Sequence, residues 1–158
     1  EVLFGNFLSF NAPAQSKKVA KEHFVLVGHG TYTPSTAIYS QMDYMLKANG
    51  LPNFHVGTIE GYPTFETMLA QLKATKAKQV TLVPFMFVAG EHAKNDIAGE
   101  WKEALEKEGY TVNTHLEGLG QVPEIQEIFI SHIRFGLKHR ILDIMTKKAA
   151  YAAGKDVE

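Results

Sequence analysis

The sequence contains no cysteine. That excludes a disulfide framework, a thiolate metal site and a cysteine nucleophile, and it leaves the compartment open. No apolar run reaches the roughly 20 residues that a membrane-spanning helix needs. Neither sign of charge dominates: 16 Lys and Arg stand against 17 Asp and Glu, a formal net of -1. With no basic run either, a general nucleic-acid binder is not expected. Gly28-His29-Gly30 lacks the third glycine and the Lys of a phosphate-binding loop, so no nucleotide is expected. Ser35 and Ser40 sit in no nucleophile elbow. No internal repeat or low-complexity tract is evident. What is present is 158 residues of ordinary apolar content, enough for one domain with a real core. The chain begins at Glu1. The expected compartment is the cytoplasm, with the periplasm the alternative if a signal peptide was removed.

Short apolar, β-branched runs at 24–27, 54–59, 80–83 and 111–116 read as buried strands. A further strand is expected over 2–10, followed by a polar linker over 11–21. Between the strands lie helical patterns. Residues 36–49 carry Ile38, Met42, Met45 and Leu46 at helical spacing, with Gly50 as the stop. Residues 65–74, capped by Thr64, turn Met68, Leu69 and Leu72 inward. Residues 95–108 carry Trp101, Ala104 and Leu105 and end at Gly109. Pro123 opens a long helix whose apolar stripe runs from Ile125 to Met145. One small sheet does not need so long a stripe, so its far end is expected to meet another subunit. Strand alternating with helix means an α/β fold: a parallel sheet of four to five strands flanked by helices on both faces. The expected division is 1–21 as strand and linker, 22–152 as the α/β domain and 153–158 as a frayed tail.

The run from Thr81 to His92 organises the chain. Pro84 cannot donate to a sheet ladder, so the strand is expected to end near it. Gly90 then permits a turn, and Glu91 and His92 follow just past the carboxyl end of the strand. Three other strands end in the same way, on His29, Glu60 and Glu117. In a parallel sheet these ends share one edge, where ligands bind. Two imidazoles with one or two carboxylates and no thiolate suit a divalent first-row metal such as Co, Ni, Fe or Zn. The blander reading is polar residues at the starts of surface loops. His23 lies at the opposite edge, His55 and His115 lie inside strands and are expected to be half-buried or solvated, and His132 and His139 lie on the last helix.

Gly28-His29-Gly30, Glu60-Gly-Tyr-Pro63, the block from Pro84 to Asp96 and Gly118-Leu-Gly120 before Pro123 together resemble the anaerobic sirohydrochlorin cobaltochelatases of the CbiK type. The resemblance covers roughly 24–137. It implies that His29, Glu60 and His92 bind the metal; it does not support Glu117 as a ligand. It implies a lyase of cobalamin biosynthesis that inserts Co²⁺ into sirohydrochlorin, with a histidine accepting pyrrole protons. Ni²⁺, Fe²⁺ or Zn²⁺ are the other candidate metals. Lys94 and Asn95, beside His92, are candidates for the substrate's carboxylates. Members of that family are built from two similar halves with the tetrapyrrole between them. This chain resembles the C-terminal half, and its stretch between Asp96 and Trp101 is shorter than the acidic loop of the family. A second copy of the chain, or an N-terminal half, would then complete the cleft. Two alternatives stand beside the enzyme: a haem, tetrapyrrole or metal carrier using the same histidines without turnover, and an inactive half of a chelatase.

Overall fold

The computed structural model describes residues 21–91, 93–138 and 143–155, and for Ala93 and Lys94 the backbone alone. The expected strand over 2–10 and nearly all of the linker lie outside those residues. Among the described residues four strands form: β1 (Glu22–Gly30), β2 (Phe54–Glu60), β3 (Gln79–Phe85) and β4 (Thr111–Thr114). They make one sheet in the order β2-β1-β3-β4, with every pair parallel. Helix α1 (Ala37–Ala48) follows β1 and α2 (Phe65–Lys73) follows β2. A wide π-type helix (Ala93–Trp101) runs into α3 (Lys102–Lys107) between β3 and β4.

Strand alternation sorts the core into two layers. Phe24 and Leu26 of β1 pack with Phe54 and Val56 of β2 against Met42 and Leu46 of α1. Val25 and Val27 face the other way, with Met68 and Leu72 of α2, Ile97 and Trp101 of the π-type helix, and Leu105 of α3. The α/β sheet is therefore covered by helices on both faces. Each of these large side chains stabilises the fold by about 1.5–3 kcal/mol on burial.

The free edge of β2 is also closed. The Val56 N–H donates to Asp43 Oδ1 at 3.1 Å. Lys47 and Gln71 both donate to Asp43 Oδ2, which ties α1 and α2 together beside that edge. A sheet edge with satisfied amides is a poor template for further strands.

β3 ends at Phe85, one residue past Pro84, so the expected end near that proline holds. Leu82 accepts from His115 on the β4 side, and Pro84 shares that parity. Pairing with β4 ends at Leu82 and Thr114, so the N–H that proline lacks points where no ladder continues. On α1, Met42 and Leu46 are buried, whereas Ile38 and Met45 are exposed. The single long helix expected after Val122 is two: α4 (Pro123–Lys138) and α5 (Ile144–Ala152). Asp143 starts the second by accepting from the backbone N–H groups of Met145 and Thr146, a cap that only a new helix start can use. Ile144 and Met145 thus belong to α5 and not to the stripe of α4. The chain divides into two compact units, Glu1–Val122 and Pro123–Glu158.

Candidate metal centre

β1 sits between β2 and β3, so the chain segments leaving those two strands flank its carboxyl end. After β1 the chain turns to the α1 layer, and after β3 to the opposite layer. That reversal is the switch point at which open α/β sheets bind ligands. His29 is the penultimate residue of β1, and Glu60 is the last of β2. Both are partly buried. In the register of the two strands Gly30 lies beside Glu60.

The local geometry of His29 is set by its two glycines. A Cβ on Gly28 would lie 2.1 Å from the ring of Tyr39, so the aromatic ring occupies the space a side chain would need. Gly30 adopts φ +79, and a Cβ there would lie 1.7 Å from the Glu60 carbonyl oxygen. No other residue type fits that combination of left-handed backbone and contact. His29 Nδ1–H donates to the Gly30 carbonyl at 3.2 Å. The neutral ring then carries its lone pair on Nε2, the arrangement that a metal-ligating histidine uses.

Strand parity separates the two partners. His29 shares the face of Val25 and Val27, while Glu60 shares the face of Phe54 and Val56. The two side chains therefore leave the sheet on opposite faces, at adjacent strand ends. Among the described residues no three His, Asp or Glu side chains come together as a metal-holding group. His92 lies outside the described residues, as do His139 and the side chain of Lys94. Asn95 is exposed on the π-type helix. Glu117 follows β4, which β3 separates from β1, and its carboxylate lies 3.5 Å from His115 Nε2.

Of the remaining histidines, His115 is half-buried as expected, and His55 is buried more deeply than expected. His23 and His55 are fully buried, with 4% and 1% of their surface exposed. Burial, then the charges of His23 and Lys47, push His55 down from 6.5 to about 4. It is a neutral core residue rather than a solvated one.

Sequence reasoning passed over two features of this edge. Thr36 and Tyr39 of the segment entering α1 touch the turns that carry His29 and Glu60. The loops after β1, β2 and β3 expose Tyr32, Tyr62 and Val88, at 83%, 52% and 70%. A run of exposed apolar groups beside a polar pair is the usual lining of a small-molecule site. The signal available was the clustering of aromatic residues directly after strand ends.

Comparison with known proteins agrees with the fold. The chain is 33% identical over 133 residues to the sirohydrochlorin cobaltochelatase of Salmonella typhimurium, covering 82% of this chain and 48% of that protein. It is 31% identical over 116 residues to the sirohydrochlorin cobaltochelatase CbiKC of Nitratidesulfovibrio vulgaris, covering 71% of this chain and 41% of that one. The chain thus spans about half the length of these relatives. Among solved structures it superposes on a protein assigned to cobalamin biosynthesis, CbiX of Marinobacter aquaeolei VT8, with a TM-score of 0.61 at 21% identity, covering 74% of this chain and 95% of that one. It also superposes on the sirohydrochlorin chelatase SirB of Bacillus subtilis subspecies spizizenii, solved with cobalt, with a TM-score of 0.52 at 22% identity, covering 63% and 44%. These two likenesses establish the chelatase fold. The cobalt chelatase (CbiK) family matches residues 8–138, most of the sequence, and this chain belongs to it.

Proposed function

We propose that this chain acts in the insertion of a divalent metal, Co²⁺ first among the candidates, into sirohydrochlorin or a related tetrapyrrole of cobalamin biosynthesis. The observation that carries the reading is the engagement of His29 Nδ1 by a backbone carbonyl at the ligand-binding edge, with Glu60 on the adjacent strand end. His29 Nε2, a Glu60 oxygen and His92 are the proposed donors, and water fills the remaining positions. So sparse a ligand set holds Co²⁺ loosely enough to surrender it. The metal moves from these donors to the macrocycle nitrogens, and two N–H bonds of the macrocycle break. An imidazole that has given up the metal has a basic ring nitrogen again and takes up one proton. Water takes the other.

The macrocycle is flat and apolar with a charged rim. Tyr32, Tyr62 and Val88 suit its faces; Lys94 and Asn95 are assigned to its carboxylates. A second copy of the chain, or an N-terminal half, is proposed to supply the other wall. The curated relatives' double length favours one competing reading: a half-chelatase that binds metal or tetrapyrrole without turnover.

The test is to mix the purified chain with sirohydrochlorin and Co²⁺ and follow absorbance against a protein-free control, with oligomer size measured on the same sample. Insertion above background that disappears in His29→Ala and His92→Ala supports the proposal. A spectral shift on adding Co²⁺ or tetrapyrrole alone, without insertion, supports the half-enzyme. Variants with wild-type rates remove both histidines from the site.

A further inference from the structure

Two turns must hold their spacing for His29 and Glu60 to share one ion. The sheet ladder pairs β1 with β2 as far as Gly30 and Glu60 and no further. Beyond it, the segment entering α1 joins the two turns. Thr36 Oγ1 donates to the Tyr62 carbonyl at 2.9 Å and accepts from the Tyr62 N–H at 3.3 Å. This reciprocal pair joins the chain that leaves His29 to the turn that leaves Glu60. Between them Gly61, at φ +81, is seated so closely that a Cβ would lie 2.2 Å from the Thr31 carbonyl oxygen and 3.0 Å from Thr36 Oγ1. One turn of helix later, the Tyr39 hydroxyl accepts from the Gly30 N–H at 3.3 Å, while its ring lies against Gly28. The peptides on both sides of His29 are therefore braced by one side chain.

We infer that Thr36 and Tyr39 are positioning residues of the metal site: Thr36 fixes the distance between the His29 and Glu60 turns, and Tyr39 fixes the orientation of the His29 backbone. The inference rests on the reading of His29 and Glu60 as metal donors. Neither side chain is proposed to touch the metal. Groups that orient metal ligands from behind typically change metal affinity 10- to 100-fold when removed.

The experiment is a Co²⁺ titration of the full chain followed by the visible bands of the bound ion, with thermal midpoints measured in parallel. The variants are Thr36→Val, Thr36→Ser and Tyr39→Phe, with His29→Ala as the control for the donors. Thr36→Val keeps the shape and loses both hydrogen bonds, so Co²⁺ affinity falls about 10-fold and the bands shift. Thr36→Ser keeps the hydroxyl and restores both. Tyr39→Phe keeps the ring against Gly28 and weakens binding less. If His29→Ala loses Co²⁺ while Thr36→Val and Tyr39→Phe bind as wild type, the positioning role is wrong and the donors stand. If His29→Ala binds Co²⁺ as wild type, or the wild type binds none, donors and positioning fall together. Affinity lost only in step with the thermal midpoint, and not restored by Thr36→Ser, reduces Thr36 to a structural role and overturns the inference.

Discussion

Strand β1 carries a histidine near each end, on the same face of the sheet, and the two have opposite fates. His23 is buried beside His55, with Nδ1 and Nε2 2.9 Å apart and the rings stacked at 5.2 Å. One nitrogen of each ring meets the other there, His55 Nδ1 has no hydrogen-bond partner among the described residues, and burial favours the neutral form of His55. His29 leaves the strand between two glycines, partly exposed, and spends its Nδ1–H on the adjacent carbonyl. Residue type and strand are the same; the difference is the end of the strand. At the amino end one nitrogen of each ring meets the other inside the core. At the carboxyl end Nδ1 of a partly exposed ring is held by the adjacent carbonyl.

The largest expected effect separates these fates by function. His29→Ala takes Co²⁺ binding and insertion to background while changing unfolding free energy by no more than about 0.5 kcal/mol, as surface substitutions do. Comparable losses of function and stability would mean that His29 is a core residue like His23, and the contrast would collapse. Next comes Gly30→Ala. The left-handed backbone alone costs about 1–2 kcal/mol, and overlap with the Glu60 carbonyl forces the two strand ends apart. The expected loss in a urea unfolding series is at least about 4 kcal/mol, the range reached when strain and a core clash combine. A loss near 1 kcal/mol would show that the turn relaxes freely and does not hold His29 and Glu60 together.

The sequence carried the sheet well because alternation and strand-end punctuation are local signals. Gly50 and Gly109 stop their helices with positive φ, as expected from the patterns before them. Thr64 caps α2 through the Thr67 N–H. What failed depended on contacts far apart in the chain. The depth of His55 follows from the layer of α1 and α2 side chains over the β2 edge, which no window around residue 55 reveals. The π-type helix ends at Trp101, which packs edge-on against Phe65 at 5.0 Å and lies where a Cβ on Gly57 would clash at 2.7 Å. An isolated glycine inside a strand is the trace such an approach leaves. For the candidate site, the strand ends placed His29 and Glu60 at one edge of the sheet, as the structure has them. They did not predict that parity sends His29 and Glu60 from opposite faces, because parity needs the register of two strands and not the ends of each.

The amino-terminal histidines supply the smaller effect, and its sign can be worked out. His55 has its folded value lowered from 6.5 to about 4, with burial the first cause and the charges of His23 and Lys47 behind it. Asp43 and Gln71 act in the opposite direction and do not offset that shift. Above pH 6.5 folded and unfolded chains both hold this ring neutral, and it adds no pH dependence. As pH falls below 6.5 the unfolded chain takes up a proton that the folded chain refuses, so stability declines. The expected decline from this group is about 2 kcal/mol by pH 5 and about 3 kcal/mol by pH 4, where the folded ring begins to protonate and the decline levels off. Urea midpoints between pH 7 and pH 5, above the range in which ordinary carboxylates titrate, isolate the effect. His55→Gln should keep a polar group at the position and remove most of the slope. If it follows the wild-type slope, the buried pair is not its source. The amino end of the sheet would then titrate no differently from the exposed surface, and the contrast between the two ends of β1 would rest on geometry alone.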